Sequence, residues 1–208
     1  MNRIKSDIKA AHFLRWPGRN MNISSCVWLL VISPSIQFLL IYRMDQWLYL
    51  NQIRFSRIKW FLICLRILLV PFILFNKIRL KSDVSCDSDI DGGVILSDKG
   101  NIILGVMKLG AGTIINSCVT IGQNHVDGGL PNIGCDVYIG SDCVIYGEII
   151  IGDGATILPG TVLTKSIPAS VVIQGNPARL VCRNFDNSEL RANQIRDANN
   201  YVKIKLGN

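Results

Sequence analysis

The sequence predicts a mainly β fold, a parallel β-helix built from hexapeptide repeats and preceded by an α-helical N-terminal region. Two observations support this prediction. The second part of the chain repeats every six residues, and charge and glycine divide the chain near residue 82. Self-similarity at a short fixed period is typical of solenoids, and a six-residue period indicates a β-helix.

The repeat is carried by aliphatic residues over positions 109–168. They stand at Leu109, Ile115, Ile121, Ile133, Ile139, Ile145, Ile151, Ile157 and Leu163. β-branched residues suit short strands, and Gly, Asp and Asn suit the tight bends between them. One coil cannot bury its own apolar side chains, so successive coils must stack. The alternative, an antiparallel sandwich, usually has turns every ~8–12 residues rather than every six.

The repeat also predicts where the chain leaves the coil. A looser hexad begins at Val84 and a one-residue slip precedes Leu109, so residues 82–181 should contain about four to five coils of three hexads each. Between Ile121 and Ile133 the pattern breaks, and Asp127 stands where an aliphatic residue is due. We therefore expect residues 122–132 to form a loop, and loops on rigid scaffolds often carry function.

Charge separates an N-terminal region from the repeats. Residues 1–81 contain thirteen Lys and Arg and two acids, a net of +11, whereas residues 82–208 contain nine and thirteen, a net of −4; the sum is +7. The basic residues lie among aliphatic runs and no nucleic-acid-binding motif is present, so nucleic acid is not an expected partner. Residues 182–208 are predicted to be a polar C-terminal tail.

Two apolar runs, residues 26–42 and 60–75, predict helices in the N-terminal region, and residues 4–14 predict another. At about 1.5 Å per residue each apolar run is shorter than a hydrocarbon core of ~30 Å, and each contains a proline. They fit helices buried against each other or against other subunits. They also fit helices lying in a membrane interface, with basic residues facing anionic headgroups. We favour peripheral membrane contact.

The seven cysteines include no CxxC pair and no Cys/His cluster with metal-binding spacing, so no metal is expected. Cys118, Cys135 and Cys143 fall within the hexads, and we interpret them as packing thiols in a reducing cytosol. Residues 1–11 lack the apolar core of a signal peptide. The expected location is the cytoplasm, with peripheral contact with the inner membrane.

The hexads, the loop and the QGNPARLV ending (residues 174–181) together resemble the left-handed β-helix, hexapeptide-repeat acyltransferases. Within them the chain is similar to the serine acetyltransferase branch, which includes capsular and exopolysaccharide O-acetyltransferases of the colanic-acid type. Residues 33–49 also resemble the helical region before the coil in that branch. The resemblance implies a left-handed coil, a homotrimer, and acetyl-CoA bound as co-substrate in the groove between neighbouring coils.

The same resemblance implies which residues contact acetyl-CoA. Gly122, Gly140 and Ser141 match the groove wall, and Pro177 and Arg179 match the segment near the nucleotide end. Arg179 is a candidate partner for the CoA phosphates, and Lys165 is a weaker one.

The catalytic residues are harder to assign, because this chain lacks the histidines that the resemblance leads us to expect. The branch usually carries a catalytic histidine in the coil before the loop, and the matching run ILSDKGN places Asp98 there. A second family histidine precedes a loop proline, where this chain has Leu130. His125, inside the loop, is the remaining candidate for the base, because imidazole is the usual base near neutral pH. Asp98 would orient His125 or act in its place.

Acetyl transfer to a hydroxyl also needs acceptor contacts and an oxyanion donor. Asn116 and Asn124 are candidates for these roles, and Asp127 completes the predicted substrate-binding set within the loop. The predicted reaction is acetylation of a sugar hydroxyl in cell-surface polysaccharide biosynthesis. Two alternatives stay open: serine O-acetylation for cysteine biosynthesis, and a catalytically inactive trimeric scaffold.

Overall fold

The computed structural model describes residues 2–16, 18, 20–54, 59–123 and 128–193. Four helices come first: α1 (Asn2–Arg15), α2 (Ile23–Ile32), α3 (Pro34–Arg54) and α4 (Lys59–Leu80). The apolar run 26–42 forms parts of two helices rather than one. Pro34 cannot continue α2 but fits the first position of α3, and the two helices meet at an angle of 93°.

Short strands make up the second part of the described chain. They are β1 (Asp83–Val84), β2 (Asp89–Ile90), β3 (Ile95–Leu96), β4 (Ile102–Leu104), β5 (Lys108–Leu109), β6 (Ile114–Ile115), β7 (Val119–Gly122), β8 (Asn132–Ile133), β9 (Tyr138–Ile139), β10 (Val144–Tyr146), β11 (Ile150–Ile151), β12 (Thr156–Ile157), β13 (Val162–Leu163), β14 (Val171–Gln174) and β15 (Arg179–Arg183).

These strands form the three walls of a parallel β-helix. Sheet A contains β1, β4, β7, β10 and β13; sheet B contains β2, β5, β8 and β11; sheet C contains β3, β6, β9, β12, β14 and β15. The pairs along each wall are parallel until β15, which pairs with β14 antiparallel. The predicted fold class, a hexapeptide-repeat β-helix after an α-helical region, is confirmed.

Strand register shows where the coil is regular. Thr156 pairs with Tyr138, eighteen residues earlier, which is three hexads. Across the loop, Ile114 pairs with Tyr138, a spacing of twenty-four residues, so the loop adds the length of one hexad. The first coil is longer too, since Asp83 pairs with Ile103 twenty residues on. The eighteen-residue spacing therefore holds between β8 and β13, after the loop, where the sequence repeat is strictest. The last coil is shorter, since Thr156 pairs with Val172 sixteen residues on.

The interior of the coil is a stack of aliphatic side chains. The nine residues of the strict repeat are each 0–2% exposed. A glycine follows several of them because coils stack closely at the bends: a Cβ added to Gly110 would lie 2.4 Å from the carbonyl carbon of Gly134.

Helix α3 joins the N-terminal region to the coil. Phe38 and Leu39 belong to the same apolar core cluster as the coil residues. The buried Arg43 donates from Nη1 to the Ile90 carbonyl (2.7 Å) and from Nε to Asp7 of α1 (2.8 Å). Burial raises the pKa of Asp7, and hydrogen bonding with Arg43 opposes that rise. One guanidinium thus connects α1, α3 and the first coil.

The coil ends in the β14–β15 hairpin and a short helix, α5 (Ser188–Asn193). Asn187 Nδ2 donates to the Asp136 carbonyl (2.9 Å), which fixes the chain after the hairpin against the coil. Sequence analysis predicts the end of the coil, but the antiparallel strand β15 was not foreseen.

The interpretation of the repeat cysteines as packing thiols holds for one of the three. Cys143 is buried, whereas Cys118 and Cys135 are exposed. Cys118 is the bend residue, with φ of +60°, that precedes β7, and Cys135 follows β8 at an outward bend. The prediction was wrong for these two because the bends of a triangular coil point away from its interior.

Candidate active site

A pocket of about 480 Å³ lies along the corner where sheet C turns into sheet A, and we call it the corner pocket. The bends after β3, β6 and β9 contribute Asp98, Asn116 and Ser141 to its wall. The end of α1 and the elbow between α2 and α3 contribute Arg15 and Ser33 from the opposite side. Three of the predicted site residues, distant in sequence, are therefore brought together.

Asp98 is held by the elbow between α2 and α3. Its Oδ1 accepts hydrogen bonds from the hydroxyls of Ser33 (2.8 Å) and Ser35 (2.7 Å), and from the backbone N–H of Ser35 (3.2 Å). Its Oδ2 lies 3.7 Å from Nη1 of Arg15. Oδ1 thus accepts three hydrogen bonds, and among the described residues Oδ2 has one long ionic contact.

The reason for this arrangement is the N-terminus of α3. The first N–H groups of a helix have no partner within the helix, and the helix dipole favours a negative charge there. Pro34 removes one of those N–H groups, and Asp98 accepts the next, that of Ser35. Asp98, which belongs to the coil, therefore caps the N-terminus of α3. The Ser-Pro-Ser sequence at 33–35 is a helix-start signal that could have indicated the elbow, but not its partner.

Asn116 lies beside a tyrosine that sequence analysis missed. Asn116 Nδ2 donates to the Ile139 carbonyl (2.8 Å). Tyr138 lines the corner pocket and is 3% exposed. Burial raises the pKa of the Tyr138 hydroxyl, and a hydrogen bond with Asn116 opposes the rise. At neutral pH this hydroxyl is protonated, so it is a hydrogen-bond donor at the pocket wall.

Gly140 and Ser141 form the bend after β9. A Cβ on Gly140 would lie 2.5 Å from the backbone nitrogen of Pro159, so coil stacking alone accounts for this glycine. Ser141 lines the corner pocket, and its carbonyl accepts from the Gly160 N–H (2.9 Å).

The other predicted acetyl-CoA residues lie away from the corner pocket. Gly122 ends β7, and an added Cβ would meet nothing within 4 Å among the described residues. Lys165 is exposed after β13, and Pro177 and Arg179 are exposed in the hairpin that ends the coil.

His125, Asn124 and Asp127 lie outside the described residues. The described ends of their loop are Gly122 in sheet A and Asn132 in sheet B, so the loop leaves the coil at the corner between those sheets. The corner pocket lies at the other edge of sheet A. In the described ranges, no group of three or more His, Cys, Asp or Glu side chains could hold a metal ion.

Comparison with known proteins identifies the repeats. The family model "Bacterial transferase hexapeptide (six repeats)" matches residues 131–165. A chloramphenicol acetyltransferase of Agrobacterium fabrum is 36% identical over 72 residues, 33% of this chain and 34% of that protein. Serine acetyltransferase 2 of Arabidopsis thaliana is 31% identical over 102 residues, 48% of this chain and 32% of that protein. The matches thus span about a third of the length of these relatives.

A solved structure extends the likeness to the helical region. The serine acetyltransferase of Brucella abortus in complex with coenzyme A has a TM-score of 0.68 and 22% sequence identity, covering 88% of this chain and 67% of that one. At this identity the likeness shows a shared fold. The chain is a β-helix that carries the bacterial transferase hexapeptide repeat, and its homologues include serine and chloramphenicol acetyltransferases.

Proposed function

We propose that this chain transfers the acetyl group of acetyl-CoA to a hydroxyl acceptor at the corner pocket. The observation that carries the proposal is the convergence of Asp98, Asn116 and Ser141 on one pocket. This pocket includes the position at which the family resemblance implies a catalytic residue. The chloramphenicol and serine acetyltransferases that this chain resembles support the same reaction.

The reaction requires a base, an oxyanion donor and close approach of two substrates. The base takes the acceptor hydroxyl proton as that oxygen attacks the thioester carbonyl carbon. The tetrahedral intermediate then collapses, the carbon–sulfur bond breaks, and the CoA sulfur leaves with the proton. Tyr138 and Asn116 line the pocket with a hydroxyl and a side-chain amide, which fit the role of oxyanion or acceptor contacts. The Asn116 amide also donates to the Ile139 carbonyl, which holds it in place.

Two residues remain proposed for the base. Asp98 has its Oδ1 occupied by the elbow, so only Oδ2 is left to take a proton. His125 is proposed for the same role from the loop. The strands that bound the loop, β7 and β8, meet at a different corner of the coil from the pocket, and we propose that a neighbouring copy completes a site containing both residues. This geometry is consistent with the homotrimer that the resemblance implies.

L-serine is the acceptor that the comparisons support best, because a similar protein and a structure with the same fold are named serine acetyltransferases. A sugar hydroxyl of a cell-surface polysaccharide is the second candidate. It is favoured by the basic, apolar helices of residues 1–81, since such glycans are assembled at the membrane.

An acceptor assay separates these candidates. CoA thiol released from acetyl-CoA is measured with L-serine, with a panel of mono- and oligosaccharides, and with no acceptor. Release that depends on L-serine supports the first acceptor, and release that depends on a sugar supports the second. If neither acceptor class raises CoA release and calorimetry detects no acetyl-CoA binding, the chain is an inactive scaffold and the proposal is wrong.

A further inference from the structure

Helix α4 exposes an unusual amount of apolar surface. Its buried residues are Leu62, Asn76 and Leu80. Six large apolar side chains along it are each more than 60% exposed: Trp60, Phe61, Ile67, Leu68, Phe75 and Ile78. Soluble monomers rarely expose contiguous apolar patches beyond a few hundred Å². A partner that is itself apolar therefore covers this face, which we call the α4 face.

The charges around the α4 face are positive. Lys59 begins the helix, Arg79 lies in its last turn, and Lys81 follows it. Lys77, also in the last turn, is paired with Asp83 of β1 (2.6 Å), so Lys59, Arg79 and Lys81 carry the charge argument. The two acidic residues of positions 1–81 do not offset them at the surface. Both are buried residues, and each is committed to an arginine, Asp7 to Arg43 and Asp45 to Arg66.

We propose that the α4 face docks on an anionic lipid bilayer, with α4 lying in the interface between headgroups and acyl chains. Apolar side chains at one face and cations at both helix ends match what an anionic membrane surface offers. A second copy of the chain is a poorer match, because two such faces would bring like charges together. The proposal does not depend on the proposed acetyl transfer.

The contacts of Arg66 favour a helix that lies on the bilayer over one that crosses it. By length and composition α4 could span a membrane. However, Arg66, near its middle, donates to Asp45 of α3 (2.6 Å) and lies 3.7 Å from the Cys86 sulfur of the first coil. The folded coil therefore lies against the centre of the helix. A spanning helix would have lipid or other helices around that point.

The lowered pKa of Asp45 also fits a docked α4. Burial alone would raise this pKa, but hydrogen bonds with Arg66 and Cys86 outweigh burial and hold it below its usual range. Asp45 thus stays ionised at neutral pH, and it neutralises the one arginine in the middle of α4. What remains for the bilayer is an apolar helix with its cations at the ends.

The test is vesicle co-sedimentation of the full-length chain. Vesicles of phosphatidylglycerol with phosphatidylethanolamine are compared with vesicles of phosphatidylcholine, each at low and high salt. We expect the chain to pellet with the anionic vesicles and to be released partly by salt, because salt screens the cations. The variant Ile67→Glu/Leu68→Glu should bind at least about tenfold more weakly, since it loses two apolar contacts.

A matched control is available on the coil. Ile103 and Ile150 are 54% and 62% exposed, so Ile103→Glu/Ile150→Glu changes charge and exposed apolar area similarly outside the α4 face. This variant should bind anionic vesicles like the unchanged chain. Circular dichroism melting establishes that both variants fold, and acetyl-CoA binding measured separately reports on the proposed function.

Three outcomes would overturn the proposal. The first is no vesicle binding by a folded chain. The second is an assembly whose mass falls when Ile67 and Leu68 become glutamate, because a second copy would then cover the face. The third is vesicle association that survives alkaline carbonate extraction, which would mean that α4 crosses the bilayer.

Discussion

The family resemblance implies that Asp98 takes the place of a catalytic histidine, and in the structure its Oδ1 caps a helix. Three hydrogen bonds from Ser33 and Ser35 end on that one oxygen. Because Asp98 both caps α3 and lines the corner pocket, it couples the stability of the elbow to the shape of the pocket.

The capping role predicts a stability effect. Asp98→Ala should lower the free energy of unfolding by about 1–2 kcal/mol, because the N-terminus of α3 loses its acceptor. Lys99→Ala, an exposed neighbour in the same bend, should change it by less than about 0.5 kcal/mol. Urea unfolding measures both. Equal effects would show that the cap contributes little.

A second residue-scale prediction concerns the proposed acetyl-CoA groove. An alanine at Gly122 meets no atom within 4 Å, so Gly122→Ala should leave stability unchanged within about 0.5 kcal/mol. If Gly122 lies on the acetyl-CoA groove, the added methyl should weaken binding by about tenfold, or about 1.4 kcal/mol, in calorimetry.

The matched variant is Gly140→Ala, whose Cβ would lie 2.5 Å from the Pro159 nitrogen. It should destabilise the chain by about 1–3 kcal/mol through overpacking, whatever its effect on binding. Unaltered acetyl-CoA affinity in Gly122→Ala would remove Gly122 from the groove.

At the scale of elements, each two-residue strand of sheet B buries its second residue, an aliphatic one, and leaves the first more exposed. Ile150 and Ile151 of β11 are a matched pair, 62% and 1% exposed. Ile151→Ala should cost about 2–5 kcal/mol of unfolding free energy, because it leaves a cavity in a stacked core. Ile150→Ala should cost about 0.5 kcal/mol or less. Similar losses in urea unfolding would contradict the assignment of the interior.

The elements differ in how well sequence predicts them. The aliphatic repeat predicted the coil interior because every hexad has the same local structure, one short strand and one bend, and stacks on an equivalent hexad. The proline in each apolar run predicts a break. The structure has one at Pro34, where α2 gives way to α3, whereas α4 continues through Pro71. The hydrogen bond between Ser33 and Asp98 joins residues that are 65 positions apart in the sequence. The packing of α3 on the coil brings these two residues together.

The candidate site shows the same limit. Asp98, Asn116 and Ser141 follow successive strands of sheet C, so the eighteen-residue period predicts that bends at such positions lie near one another. Tyr138 and Ser33 were missed, because one looked like a strand residue and the other belongs to a helix in the N-terminal region. No local sequence pattern predicts that strand β9 and the elbow between α2 and α3 line the same pocket.

At the scale of the whole molecule, we propose a site shared between copies, because the strands that bound the loop and the corner pocket lie at different corners of one coil. If His125 and Asp98 both serve that site, His125→Ala and Asp98→Asn chains are each inactive. Mixed and reassembled, they should regain up to about a quarter of the activity of the unsubstituted chain, because random pairing restores one complete site in four. Each variant alone should stay inactive. Recovery of no activity, with mixed assemblies confirmed by mass spectrometry, would mean that the two residues do not act across an interface.

The measurement that tests the central claim most directly is CoA release by the full-length chain from acetyl-CoA, with and without a hydroxyl acceptor, together with the mass of the acceptor afterwards. We predict that CoA release rises only when L-serine or a sugar acceptor is present, and that the same acceptor gains one acetyl group. CoA release at the same rate without any acceptor, or no release with every acceptor tried, would contradict hydroxyl acetylation.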